Sequence, residues 1–212
     1  MILDKPQLDV SVPDSSYIHS GGGWDFRKDS THYYSWYQSA FTEEECESII
    51  NVAEQQGFME SKIVGTEDKE YDNEVRNSLV NFIFPNIDTT WIFERLQHVA
   101  ETLNSGFFNF DITGMNEGCQ MTKYVAPSGH YDWHLDAKPH GKVRKLSMTL
   151  QLSSPDTYEG GDLEVSDGDS IPLPKDRGTV CCFPSWLSHR VTPVTEGTRY
   201  SLVSWVSGPP FK

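Results

Sequence analysis

From 146 to 152 the apolar residues Leu146, Met148, Leu150 and Leu152 alternate with the polar Ser147, Thr149 and Gln151. A period of two predicts a strand with one apolar and one polar face. Short runs of the same kind recur at 108–112, 119–125, 130–135, 163–165, 179–183, 190–194 and 199–206, separated by glycine-bearing turns such as Asn116-Glu117-Gly118 and Gly160-Gly161. The N-terminal half has a different rhythm. Thr42-Glu43-Glu44-Glu45 reads as a capping box, and Cys46, Ile49, Ile50 and Ala53 form one stripe of a helix that runs to about Gln56 and stops at Gly57. A second helix, starting at Asp88 or Thr89, spans Trp91 to Asn104 on the stripe Ile92, Leu96, Val99 and Leu103, with Gly106 after its end. Aromatic 33–37 and the stretch 74–84 read as strands. Two helices followed by short strands predict a mainly-β chain, a sandwich or jelly-roll with helices on one side.

The chain length of 212 residues suits one domain, placed at 31–212. Residues 1–30, rich in Pro, Ser, Asp and Gly, read as a loosely ordered arm; Gly21-Gly22-Gly23 lacks the Lys-Ser/Thr pair of a phosphate loop. The charged stretch 60–73 has no periodicity and reads as a mobile loop. A net charge of −14 argues against nucleic-acid backbone or an anionic membrane as partner. Cys46, Cys119, Cys181 and Cys182 form no Cys-x-x-Cys pair, so they read as reduced thiols. With no signal peptide or membrane-length apolar run, the expected compartment is cytoplasmic.

His134 and Asp136 occupy alternate positions, so on a strand both side chains leave one face. A metal that accepts mixed nitrogen and oxygen ligands can be held there, with His189, just ahead of another strand, as third ligand. A lone His-x-Asp is more often a hydrogen-bonded surface pair, but here Arg199 follows inside an apolar strand, where a fixed cation needs an anion. Two histidines and a carboxylate make the facial triad of non-haem Fe(II) oxygenases. His130 and His134 would suit zinc on a helix, but Pro127 and Gly129 argue against a helix, so His130 is expected in a loop and His140 in a turn. His19, His32 and His98 have no ligand spacing around them. No Gly-x-Ser-x-Gly elbow supports serine hydrolysis.

His134-Leu-Asp136, His189 and Arg199, with Tyr131-Asp-Trp before the first ligand, Arg144 opening the next strand, Gly160-Gly161-Asp-Leu163 and Arg199-Tyr-Ser-Leu-Val-Ser-Trp205, resemble the Fe(II)- and 2-oxoglutarate-dependent dioxygenases, most closely the prolyl 4-hydroxylase-like branch. The resemblance implies a double-stranded β-helix flanked by N-terminal helices. It also implies Fe(II), 2-oxoglutarate and O2, with ascorbate as a stimulant and succinate and CO2 as co-products. Tyr124 matches the tyrosine that hydrogen-bonds 2-oxoglutarate, and Arg199 the cation that grips its distal carboxylate. Thr149, Leu163, Ser201 and Trp205 would line the same pocket, together with Gln151, which stands where a tyrosine is usual. Arg76, in Arg76-Asn-Ser78, and with it Tyr131 and Trp186, falls on the substrate side, and 60–73 resembles a lid. The implied substrate is a prolyl residue in a peptide or protein. Asp136, a carboxylate rather than a small residue, favours hydroxylation over halogenation. Alternatives are the same chemistry on a small metabolite or free amino acid, a zinc hydrolase using the same triad, and a non-catalytic sandwich; the hydrolase leaves Arg199 and Tyr124 without a purpose.

Overall fold

The computed structural model describes residues 32–61, 75–137 and 141–210. The expected arm at 1–30, nearly all of the expected loop at 60–73, His19 and His140 lie outside the described residues. In chain order the elements are β1 (Ser35–Tyr37), α1 (Glu43–Gln56), β2 (Met59–Glu60), β3 (Arg76–Asn77), β4 (Leu79–Ile83), α2 (Thr90–Leu103), β5 (Cys119–Val125), β6 (Gly129–His134), β7 (Arg144–Gln151), β8 (Tyr158–Gly160), β9 (Leu163–Ser166), β10 (Ser170–Pro172), β11 (Val180–Pro184) and β12 (Ser188–Ser207).

The larger sheet has the order β1-β11-β7-β12-β5-β4-β2. In the smaller sheet β6 joins β3 to β12, and β12 also pairs with β8 and β9. β12 belongs to both: His189 to Val194 pairs with β6, while Thr198 to Val203 pairs with β5. Register shifts near Val191 and Val194 carry the strand from one sheet to the other. The fold is the expected mainly-β one with helices to one side.

Two apolar layers follow from the alternation read in the sequence. Leu146, Met148, Leu150 and Leu202 face α1 and α2, burying Ile49 and Leu96 among them. Each such side chain contributes about 1.5–3 kcal/mol on burial. Between the sheets lies a second cluster, where Phe183 meets Leu163, Val165 and Val191. Cys181 and Cys182 are neighbours on β11 that point to opposite layers. All four cysteines are buried and free. α1 begins as expected: the Glu45 amide donates to Thr42 Oγ1 at 3.2 Å, and Glu45 Oε2 accepts from the Thr42 amide at 2.9 Å. No helix among the described residues is long and apolar enough to cross a membrane.

Three local expectations need correction. The run 108–112 is not a strand: α2 continues into a π-helical turn at Asn104–Phe108, and Asn109 ends it in the left-handed region at φ 55°. The Asn104 side chain then takes both backbone groups of Phe110 (2.9 Å each), which a strand partner would otherwise use. The stretch 74–84 splits, β3 joining the smaller sheet and β4 the larger. His130 lies in β6, opposite Asn77, rather than in a loop.

Candidate metal centre and co-substrate pocket

His134 ends β6, and its direct partner across the smaller sheet is His189 on β12. Beyond β6 the chain is held by Ser185, whose carbonyl accepts from the amides of Asp136 (3.0 Å) and Ala137 (2.8 Å). That hold returns the Asp136 carboxylate to the two imidazoles. The ligating atoms of His134, Asp136 and His189 all lie within 4.8 Å of one another. Nδ1 of His134 is 2.7 Å from the Asp132 carbonyl, and Nδ1 of His189 is 2.9 Å from that of Leu187. A carbonyl only accepts, so each Nδ1 carries the proton and each Nε2 keeps its lone pair for the centre. The Tyr131 ring stacks on His134 with centroids 3.5 Å apart.

Burial first, and then His189, depresses the His134 pKa to about 4, so its imidazole is neutral near pH 7. Burial opposes ionisation of Asp136, but His189, His134 and the Ser147 hydroxyl outweigh it and hold the carboxyl well below the usual range. Ser147 donates to Asp136 Oδ2 at 2.7 Å. Arg144 grips Glu117 through two bonds of 2.7 Å, lies 3.6 Å from the Trp205 ring centroid, and donates to the Asp136 carbonyl at 3.3 Å. Sequence reasoning gave no role to Ser147, Ser185 or Glu117. The one available signal was the polar face of β7, which turns inward rather than to solvent.

The centre opens into a cleft of about 740 Å³, within the range of small-ligand sites. Alternate residues of β12, namely Arg199, Ser201, Val203 and Trp205, line one wall. Tyr124, Thr149 and Leu163 line it too, as do Arg76 and Tyr131 on the side of β3 and β6. Trp186 does not; it is 40% exposed, with its ring against Phe110. Gln151 stands behind the lining and touches Arg199. That arginine is 1% exposed. It donates to Gln151 Oε1 at 2.8 Å and meets Ser201 Oγ at 3.4 Å, while its Nε has no partner. No carboxylate pairs with it among the described residues. Gly161, at φ 60°, lets the arginine pass: a Cβ there would sit 3.0 Å from Arg199 Cδ.

Residues 119–207, which contain the triad and Arg199, match the family model of the 2OG-Fe(II) oxygenase superfamily. This region is a 2OG-Fe(II) oxygenase domain. A PKHD-type hydroxylase of Hyphomonas neptunium is 40% identical over 84 residues, which are 36% of this chain and 37% of that protein. The chain thus spans little more than a third of that relative's length. Two solved structures share the fold of this chain. A prolyl-4-hydroxylase of Pseudomonas putida has a TM-score of 0.67 and 18% identity, covering 85% of this chain and 95% of its own. A prolyl hydroxylase of Trichoplax adhaerens, in complex with a hypoxia inducible factor peptide fragment, has a TM-score of 0.68 and 16% identity over 82% and 83%.

The superfamily implies Fe(II), 2-oxoglutarate and O2. The residues present fit these groups. Two imidazole nitrogens and one carboxylate are the donor set of a non-haem iron. A buried guanidinium without a carboxylate partner suits the far end of a dicarboxylate. The zinc-hydrolase alternative is not supported: the match is to an oxygenase family, and a hydrolase would give Arg199 no anion.

Proposed function

We propose that the oxygenase is a 2-oxoglutarate-dependent hydroxylase acting on prolyl residues of a peptide or protein. The carrying observation is that one cleft joins the triad to a deeply buried, carboxylate-free Arg199. His134, Asp136 and His189 hold the metal. Arg199, backed by Gln151 and Ser201, binds the distal carboxylate of 2-oxoglutarate through its planar fork. Tyr124 offers its hydroxyl to the co-substrate; burial, the largest influence, raises its pKa despite Arg76 and Arg199, so it stays a donor. Thr149, Leu163 and Trp205 wall the co-substrate and keep water out. Bound Fe(II) supplies the oxygen chemistry that couples oxidative decarboxylation of 2-oxoglutarate to hydroxylation of a C–H bond.

Support for a peptide comes from the fold shared with a prolyl hydroxylase solved with a peptide fragment. One observation favours a small anionic metabolite or free amino acid instead. Arg76, 8% exposed, meets Ser78 Oγ and Tyr131 and pairs with no carboxylate among the described residues, and its Nη2 has no partner. The deciding experiment follows succinate formation with Fe(II) and 2-oxoglutarate across proline-containing peptides and free amino acids, with mass spectrometry for the gain of one oxygen atom. Oxygen gain on a prolyl peptide is expected. Gain only on free amino acids would move the assignment to a small-molecule hydroxylase, and no 2-oxoglutarate-dependent succinate with any substrate would defeat the proposal.

A further inference from the structure

Asp136 is held by more than its place in the chain. Ser147 Oγ lies 2.7 Å from Asp136 Oδ2 and 3.0 Å from Ser185 Oγ, and both serines are fully buried. Donor counting fixes the direction. Ser147 donates its single hydroxyl proton to Asp136 Oδ2, so in its contact with Ser185 it can only accept, and the Ser185 hydroxyl is the donor there. The chain of donors runs from Ser185 through Ser147 to Asp136, and each bond polarises the next. Ser185 also holds the Asp136 backbone through its carbonyl, and its own amide donates to Lys145 O at 3.0 Å. β7 and the turn after β11 are thereby joined at the carboxylate.

Some other buried hydroxyls in this fold make no such bond. Ser204 on β12, Thr179 and Ser207 are buried without a hydrogen-bond partner. Burial alone therefore does not bring a hydroxyl to a bond here, and the Ser147–Ser185 pair is aimed at one carboxylate.

We propose that Ser147 and Ser185 are positioning residues for the metal centre: they fix the rotation of the Asp136 carboxylate and set the affinity for the ion. The proposal rests on the metal-binding reading of the triad. Partners that orient a ligand in this way typically change metal affinity by about 10–100-fold when removed.

The test is the dissociation constant for Mn(II), read from the electron paramagnetic resonance signal of free Mn(II), with folding checked by circular dichroism. Ser147→Ala is expected to bind Mn(II) about 10–100-fold more weakly. Ser185→Ala should show a smaller loss, because Ser147 still donates. Ser147→Thr keeps the hydroxyl and should recover most of the affinity, while Ser204→Ala, which deletes a buried hydroxyl aimed at nothing, should match the unmodified protein. Unchanged affinity in folded Ser147→Ala overturns the proposal, as does a folded Ser147→Thr as weak as Ser147→Ala. If Ser147→Ala does not fold, Ser185→Ala decides, and an unchanged constant there overturns the relay. Failure of the unmodified protein to bind Mn(II) would instead defeat the metal reading itself.

Discussion

Gln151 accepts a hydrogen bond from the Arg199 guanidinium at 2.8 Å while its own amide nitrogen donates to the Pro174 carbonyl at 3.2 Å. A neutral amide aims the cation without neutralising it. The positive charge is left for a ligand, at a depth where an unmatched charge is costly.

Arg199→Ala should therefore remove roughly 2–5 kcal/mol of 2-oxoglutarate binding, the range for losing one member of a buried charge pair. Gln151→Glu should also weaken binding, and by more than Gln151→Leu, because a fixed carboxylate would compete for the guanidinium. Calorimetric titration of the Mn(II)-loaded protein with 2-oxoglutarate measures all three. Equal affinity in Gln151→Glu and the unmodified chain would show that Arg199 does not receive the co-substrate.

Metal should stabilise the fold by mass action, about 2.7 kcal/mol at an ion concentration one hundred times the dissociation constant. The comparison is the melting temperature with Mn(II) and with chelator. His134→Ala, Asp136→Ala and His189→Ala should each abolish the difference while leaving the melting of the chelated protein cooperative. A full metal-dependent shift in any of them would remove that residue from the centre.

Acid should weaken the metal-free protein through His134. Its folded pKa is about 4 against an ordinary 6.5. Between those values the unfolded chain takes up a proton that the native imidazole refuses, so stability falls as pH falls through this window. The loss is complete below about 4 and amounts to at most roughly 3 kcal/mol. Urea midpoints of chelated protein across this window should slope less steeply in His134→Phe. Parallel slopes would assign the acid sensitivity elsewhere.

Thiol chemistry should be silent in the native state. Burial pushes Cys46 up to about 11 and Cys119 and Cys181 up to about 12, and raises Cys182 as well. A chromogenic disulfide reagent should react with none of the four until denaturant is added. Prompt reaction of one thiol in the folded protein would show that its layer opens.

What was legible in the sequence was local. The Thr42 box lies within one turn, and the Leu146 alternation fixes a strand whatever its neighbours are. Asn104 defeated the reading of 108–112 because a side chain, not a propensity, decides where the helix lets go. His134 and Asp136 announced themselves by spacing. Ser147 and Ser185 could not, since they meet across a separation of 38 residues. Arg144 and Glu117 meet across 27. The polar side chains of β7 were visible as a face, but only the two sheets together turn that face inward.

β12 has a further consequence. One unbroken strand carries His189 in the smaller sheet and Arg199 in the larger, with Gly197, at φ 73°, between them. In the proposed reading Arg199 takes one end of the keto-diacid and the metal that His189 helps to hold takes the other, so a single covalent ribbon acts as a gauge of ligand length. On that reading a diacid one methylene shorter or longer is expected to bind more weakly. The choice of co-substrate is then written into the bend of a strand.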